Sequence, residues 1–535
     1  MSDARPRGLG QLGNVGVMGA ELAALARASW LPERPDRTMR AALALMATGP
    51  TLAGGIAAAA ARYPDGVALV DDDGELTYRE LWAASDALGR GLRELDVGPG
   101  TGVGILARNG RVFTIALLAA SRLGADVVFL NTGFAGPQLA AVVAAEGVDV
   151  LVRDDEFAAV GRACAVRAVV GTRDIDTLIE RPPLGPLRPS RHQGTMVILT
   201  SGTTGRPRGA RRGGSAGGPS SLGGAGALLS VVPIRARTTV VIAAPTFHAW
   251  GMAHLGLALG LSSTAVVAAH FDAEATLRAI AEHRAEGLVV VPVMLQRMMA
   301  LSRNVLARHD ISSLRYIVSS GAPIRGALAT AVLDHFGPIL YNVYGSTEVS
   351  LASIARPQDL LAAPTTAGRV VPGATVRVLD DRGRPVERGA IGRVFVASGS
   401  RFDGYTDGRT KEAADGLLSS GDLGHFDDAE RLHIDGREDD MIVSGGENVY
   451  PIEVEDVIAA HPSVLEVAVV GVPDDEFGQR LKAVVVRRDG AKLTATQVRT
   501  LVRDRLARHE VPRDVVFVKA LPRTATGKIR RVELR

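Results

Sequence analysis

Between Leu199 and Gly209 the chain reads Leu-Thr-Ser-Gly-Thr-Thr-Gly-Arg-Pro-Arg-Gly, directly after the strand-like Met196-Val197-Ile198. Glycines such as Gly202 and Gly205 let the backbone turn so that N–H groups converge on an anion. The hydroxyls of Thr200, Ser201, Thr203 and Thr204 add donors, and Arg206 and Arg208 add charge-assisted bonds. The chemistry this composition serves is phosphate binding. The spacing differs from the Walker arrangement, because no Gly-Lys-Ser/Thr closes the loop and Pro207 and Gly209 disfavour the helix that should open there. A kinase or GTPase is disfavoured, and a nucleoside triphosphate used in another way is expected. Taken alone, the stretch would pass for a flexible linker.

Further stretches follow in order: Pro245-Thr246-Phe247-His248, Ser320-Gly321-Ala322-Pro323, Tyr341-Asn342-Val343-Tyr344-Gly345-Ser346-Thr347-Glu348, Ser420-Gly421-Asp422, Asp435-Gly436-Arg437-Glu438-Asp439-Asp440, Ser444-Gly445-Gly446-Glu447-Asn448-Val449-Tyr450-Pro451 and Arg523-Thr524-Ala525-Thr526-Gly527-Lys528. Glu348 is a carboxylate beside hydroxyl donors after a Gly-Ser turn. Asp422 has the acceptors for both hydroxyls of a ribose and Arg437 has donors for the same sugar, although isolated Asp and Arg usually face water. His248 alone reads as a core histidine, and Tyr344 as a half-buried core tyrosine.

In this order the set resembles the acyl-adenylate-forming superfamily, which includes acyl-CoA synthetases, luciferases and peptide-synthetase adenylation domains. The resemblance runs from about residue 55 to the C-terminus and is nearest to bacterial fatty-acyl-CoA synthetases. It implies ATP, Mg²⁺ and coenzyme A. Thr200, Ser201, Gly202, Thr203, Thr204, Gly205 and Arg208 would hold the triphosphate, with Thr347 on phosphate oxygens and Glu348 on the metal. Gly321, Ala322 and Pro323 would sandwich adenine against Tyr344, beside Gly345, while Asn342 bonds its edge. Asp422 and Arg437 would take the ribose. His248, Trp250 and Gly251 would line the acyl pocket, Ser444, Gly445 and Gly446 would meet the pantetheine arm, and Asp439 would be the hinge. Lys528, Glu348, Thr200 and His248 form the implied catalytic set.

Only five of the 61 basic residues are lysine, all beyond residue 410, so a lysine retained in the Thr-Gly-Lys context answers a need for a compact ammonium. By resemblance Lys528 reaches the substrate carboxylate and the α-phosphate. Arg208 departs from the family, whose loops commonly carry lysine there. The implied reaction has two halves. The substrate carboxylate attacks the α-phosphorus to give acyl-AMP and pyrophosphate, and a thiol then displaces AMP after the C-terminal domain reorients. The form of Ser444–Pro451 favours coenzyme A, and from the end of the chain at Arg535 no fused carrier domain is expected. Two alternatives stay open: an acyl-AMP ligase delivering to a carrier protein, and a nucleotide-binding homologue with little catalysis, conceivable from Arg208 and from Ala429-Glu430 where a glycine turn is common.

The elements that must position these groups read as an α/β fold. β-branched runs such as Val67–Val70, Val127–Leu130, Leu288–Val291 and Tyr316–Val318 alternate with Ala/Leu-rich helical segments, as in helix-covered parallel sheets. Residues 1–50 are expected to form a helical extension, 51–438 a large adenylation domain ending in a small β-barrel-like subdomain after Gly368, and 439–535 a smaller mobile α+β domain hinged near Asp439. Gly213–Gly226, rich in Gly, Ser and Ala, is expected to be a mobile loop. Thr238–Phe271 carries no Asp, Glu, Lys or Arg and is long enough to span a bilayer, but Pro245 and two strand-like runs mark it as a buried βαβ unit, suited to an aliphatic medium- or long-chain acid.

The chain of 535 residues is 46% hydrophobic with a formal charge of +3, and its basic residues are dispersed, so no nucleic-acid partner is expected. One cysteine, Cys164, fits a reducing compartment and a cytoplasmic enzyme. No signal peptide is recognised. Lipid contact through residues 1–50 and the oligomeric state are left open.

Overall fold

The computed structural model describes residues 34–182, 185, 187–201, 207–212, 223–399, 402–444, 447–474, 478–524 and 527–535. The expectations for residues 1–33, for Gly202, Thr203, Thr204 and Gly205, for the Ser201 side chain, and for Gly445 and Gly446 lie outside the described residues.

The β-branched runs are apolar on both faces, and such strands must be covered on both sides, which favours parallel sheets with helical crossovers. Two sheets of this kind form the large domain. The first has nine strands in the order 369–370, 350–355, 340–346, 316–319, 287–290, 239–242, 264–266, 67–71 and 74–77. Its central members are parallel, and only its edges return as antiparallel hairpins. The second has six strands in the order 168–170, 150–153, 102–106, 126–129, 196–201 and 207–212, with only the last antiparallel.

A shared core joins the sheets through the helices Tyr78–Glu94 and Arg111–Leu123. The first opens on a capping box, in which the Thr77 hydroxyl accepts from Glu80 N at 3.2 Å and the Glu80 carboxylate accepts from Thr77 N at 2.8 Å. Its Leu81, Leu88 and Leu92 are fully buried, each stabilising the fold by about 1.5–3 kcal/mol. In the second helix every residue from Val112 to Leu123 is buried, as a helix enclosed on all sides requires.

The charge-free stretch forms strand Thr239–Ile242, helix Ala249–Gly260 and strand Thr264–Val266, whose strands lie side by side and parallel. Among the described residues no helix is long and apolar enough to cross a membrane. Of the segment Gly213–Gly226, residues 213–222 lie outside the described residues, and 223–226 differ from expectation: a helix opens at Gly223 and runs to Val231. Ala227, Leu228 and Leu229 are buried in the shared core, so packing outweighs the poor helix propensity of its glycines.

After Gly368 the chain forms a five-stranded antiparallel sheet from 375–379, 392–397, 413–414, 417–426 and 432–437. A last five-stranded sheet, from 442–444, 447–449, 464–474, 478–487 and 514–518, packs against the helices Pro451–Ala459 and Ala495–Arg503. It rests on the large domain through polar contacts. Arg325 donates to Val467 O at 2.7 Å and pairs with Glu455 at 3.4 Å, and Gln296 donates to Leu465 O at 2.8 Å.

Candidate active site

Ligands of open α/β sheets collect outside the carboxyl ends of the strands. Here strand Tyr316–Ser319 runs into Ser320-Gly321-Ala322-Pro323, strand Thr239–Ile242 runs into the turn before His248, and strand Leu340–Ser346 carries Asn342 to Gly345. These ends, the phosphate hairpin and the last domain enclose a cleft of about 2290 Å³.

The phosphate loop joins two antiparallel strands, Met196–Ser201 and Pro207–Arg212, as the proline and glycine that bar a helix require. Thr200 faces Arg208 across this hairpin and its hydroxyl donates to the Arg208 carbonyl at 3.3 Å. The outer edge of the second strand pairs with the third sheet's approach segment: Thr406 N donates to Gly209 O at 2.9 Å, and Ala210 bridges Tyr405. A Cβ on Gly209 would stand 2.3 Å from a Glu146 carboxylate oxygen, so a larger residue there would have to push that side chain aside. Arg208 lies outside the cleft lining, with its guanidinium 6.0 Å from the Tyr405 ring centre.

Glu348 lies at the tip of the hairpin formed by strands Leu340–Ser346 and Ser350–Ala355. The Ser346 hydroxyl donates to one carboxylate oxygen at 2.9 Å and the Tyr405 hydroxyl to the other at 2.8 Å. Burial pushes its pKa up, but these bonds, its own backbone N–H and the charge of Lys411 outweigh burial and leave it lowered. Arg212 braces the same turn, donating to Thr347 O at 2.7 Å. Tyr405 and Arg212 escaped the sequence reading. A tyrosine after Gly404 and an arginine past the loop carry no local signal; only the meeting of three sheets gives them their roles.

Gly321, Ala322 and Pro323 line one wall, and Gly321 takes a positive φ of 89°. Tyr344 faces the cleft, and its hydroxyl donates to Asp422 at 2.6 Å. Asp422 and Arg437 are directly paired across neighbouring strands, with 3.2 Å between carboxylate and guanidinium. The carboxylate expected to accept from a ribose is thus held by a phenol and a guanidinium. Asn342 also reaches the cleft, its amide donating to Thr366 O at 3.2 Å. Gly345 is obligatory, since a Cβ there would fall 1.9 Å from Ser350 O.

Lys528 enters from the last domain on a turn closed by Thr524, whose hydroxyl accepts from Lys528 N at 3.1 Å. Gly527 has φ +78°, and a Cβ would collide with Val293 of the large domain at 2.3 Å, so glycine lets the turn dock. The ammonium stands in a wide cleft and is exposed by area, yet surrounding protein and then Arg437 lower its pKa, against the pull of Asp422 and Glu348. His248 lines the same space; burial and then the Lys528 charge push its pKa down to about 3, so it is neutral.

Trp250 and His254 stack edge to face at 4.1 Å along the helix that follows His248. Trp250 Nε1 donates to Val290 O at 3.0 Å, and His254 Nδ1 lies 2.9 Å from Trp250 O. Gly251 is outside the lining and serves packing, as a Cβ would meet Pro245 O at 2.3 Å. Ser444 is buried in the last sheet, paired with Glu447 and Gly478, and does not line the cleft, whereas Asp439 does.

Among the described residues no group of three His, Cys, Asp or Glu is arranged to hold a metal. The half-buried Glu348 carboxylate at the edge of the cleft fits Mg²⁺, which takes one or two carboxylates together with phosphate oxygens and waters.

The AMP-binding enzyme profile matches residues 56–406, and the profile of the AMP-binding enzyme C-terminal domain matches residues 453–528. The chain belongs to the AMP-binding enzyme family, within the acyl-adenylate-forming superfamily. It is 33% identical over 487 residues to an indoleacetate–CoA ligase of Aromatoleum aromaticum, covering 86% of this chain and 93% of that one. It is 30% identical over 476 residues to a long-chain-fatty-acid–CoA ligase of Mycobacterium tuberculosis, with the same coverage of 86% and 93%. The solved amide bond synthetase McbA of Marinactinospora thermotolerans superposes with a TM-score of 0.80 at 30% identity, covering 93% of this chain and 99% of that one. The family assignment explains why the motifs fall in one order and meet in one cleft.

Proposed function

We propose that this AMP-binding enzyme is an ATP-dependent acid–thiol ligase, which activates a carboxylic acid as acyl-AMP and passes the acyl group to coenzyme A in a cytoplasmic setting. The observation that carries the reading is the convergence on one cleft of Lys528, Glu348, the Asp422–Arg437 pair and Thr200 of the phosphate hairpin. A cation beside a nucleotide's sugar site and a metal carboxylate suits attack at the α-phosphorus.

In this reading Asp422 and Arg437 hold the ribose, Tyr344 with Gly321, Ala322 and Pro323 holds adenine, and the hairpin holds the β- and γ-phosphates. Glu348 would hold Mg²⁺, which when bound supplies positive charge against the pyrophosphate leaving group. The substrate carboxylate then attacks the α-phosphorus, the P–O bond to pyrophosphate breaks, and Lys528 neutralises the charge that develops. His248, being neutral, can stand beside the carboxylate without binding it as an ion pair. Asp439 serves as the hinge about which the last domain turns, and Ser444, Gly445 and Gly446 then approach the thiol, whose sulfur displaces AMP.

The charge-free wall supports a medium- or long-chain acid. A ring-bearing acid is the second reading, favoured by the Trp250–His254 stack and by a relative named for indoleacetate. Products decide between outcomes: AMP, pyrophosphate and acyl-CoA in equal amounts from a panel of alkanoic and arylalkanoic acids support the proposal, and ADP would overturn it. Acyl-AMP without thioester would favour a carrier-protein acceptor.

A further inference from the structure

Lys411 is one of the five lysines of an arginine-rich chain, and besides Lys528 it is the only one that lines the cleft. The backbone around it is fixed. Ser419 N donates to Glu412 O at 2.8 Å, and Ala413 and Ala414 pair with Leu418 and Leu417 in a tight hairpin. Glu412, the next residue, turns outward to the Arg393 guanidinium. Lys411 is half-buried and turns inward. Its Nζ lies 3.3 Å from where a Cβ on Gly421 would stand, and Arg437 Nη2 lies 3.2 Å from the same point.

Two cations therefore converge over Gly421, next to Asp422. Arg437 has that carboxylate as its partner; among the described residues Lys411 has no hydrogen bond and no ion pair. A long side chain with nothing to meet would normally carry its ammonium out to water. This one carries it into the open cleft, near a like charge and on the side where its field reaches Glu348. Such a place becomes favourable when an anion enters.

We propose that Lys411 is a nucleotide-binding residue, its ammonium taking an oxygen of the pyrophosphoryl part of ATP from the side of strand Leu417–Phe426. This rests on the adenylation reading above. It gives the cleft a compact ammonium for the phosphates in a chain whose phosphate loop carries Arg208 in place of lysine. Because pyrophosphate leaves in the first half-reaction, Lys411 contributes nothing to the second.

The test uses the full chain with Lys411→Ala, Lys411→Met and Lys411→Arg, the methionine keeping the apolar stem. Acid-dependent exchange of pyrophosphate into ATP should show a KM for MgATP raised about ten- to a hundredfold in the first two, as for loss of a charge-assisted hydrogen bond. kcat should change less, and the arginine variant should stay near wild type. Thioester formation from supplied acyl-AMP should be unchanged in all three. An unaltered KM in the alanine and methionine variants overturns the proposal, as does equal loss with supplied acyl-AMP. Should the wild type bind MgATP but fail to exchange, the adenylation reading falls instead, and calorimetric ATP affinities of the same variants decide the role of Lys411.

Discussion

Removing the hydroxyl of Tyr405 while keeping its ring asks whether Glu348 is held ionised for chemistry. In the native protein the phenol donates to Glu348 at 2.8 Å, and this bond is the largest of the influences that overcome burial and keep the carboxyl below its ordinary pKa. A hydrogen bond to a charged group is worth about 1.5–3 kcal/mol, and about 1.4 kcal/mol corresponds to one pKa unit. Tyr405→Phe should therefore raise the Glu348 pKa. The sign is fixed by the direction of the native shift. The folded state favours the carboxylate, so the bond's stabilisation is complete above the unfolded carboxyl's pKa and is lost as pH falls through the folded value. The assay is the pH profile of acid-dependent ATP–pyrophosphate exchange, taken over the range in which both proteins remain folded. The acid limb of the variant should lie at higher pH than that of the wild type, with rates converging near pH 8. Superimposable profiles, or a uniform loss at every pH, would show that the Tyr405 bond does not keep Glu348 ionised for the reaction.

Three further outcomes are expected. Lys528→Ala should lower exchange by about 10²–10³-fold, as for loss of one transition-state donor, while thioester formation from supplied acyl-AMP stays intact; both are read in half-reaction assays. His254 is pushed down to about 4, by burial and despite its bond to Trp250 O, so the unfolded chain binds a proton below pH 6.5 that the folded chain refuses. Stability should fall by about 1.4 kcal/mol per pH unit as pH drops from 6.5 towards 4 on this account alone, and denaturant titrations should show His254→Phe flattening that slope. Gly251→Ala must displace the Pro245 backbone and should cost about 1–3 kcal/mol in thermal or denaturant unfolding, with the acid KM shifted through its neighbour Trp250.

The ordered motifs were legible because each is local: glycines at turns, a carboxylate beside hydroxyls, a lysine after Thr-Gly. The βαβ reading of Thr238–Phe271 followed from Pro245 and two β-branched runs, and the strands lie where those runs fall. Strand Leu417–Phe426 was hidden because Ser419, Ser420, Gly421 and Asp422 interrupt apolar alternation; its polar stretch is held by buried bonds such as Ser420 Oγ to Val394 O at 3.0 Å. The helix at Gly223 was hidden by composition. Ala429-Glu430 holds a turn without glycine, with Glu430 itself adopting φ 60°. Tyr405 and Arg212 could not be found locally, since each acts on a turn far away in the chain, and only the assembled sheets bring them to Glu348 and Thr347.

Formation of acyl-AMP is read by exchange of labelled pyrophosphate into ATP by the intact chain, with magnesium and each acid of a graded panel, in the absence of coenzyme A. Exchange that depends on the acid, followed by AMP release and thioester formation when coenzyme A is added, is the predicted result. Bound MgATP with no acid-dependent exchange for any member of the panel would contradict it.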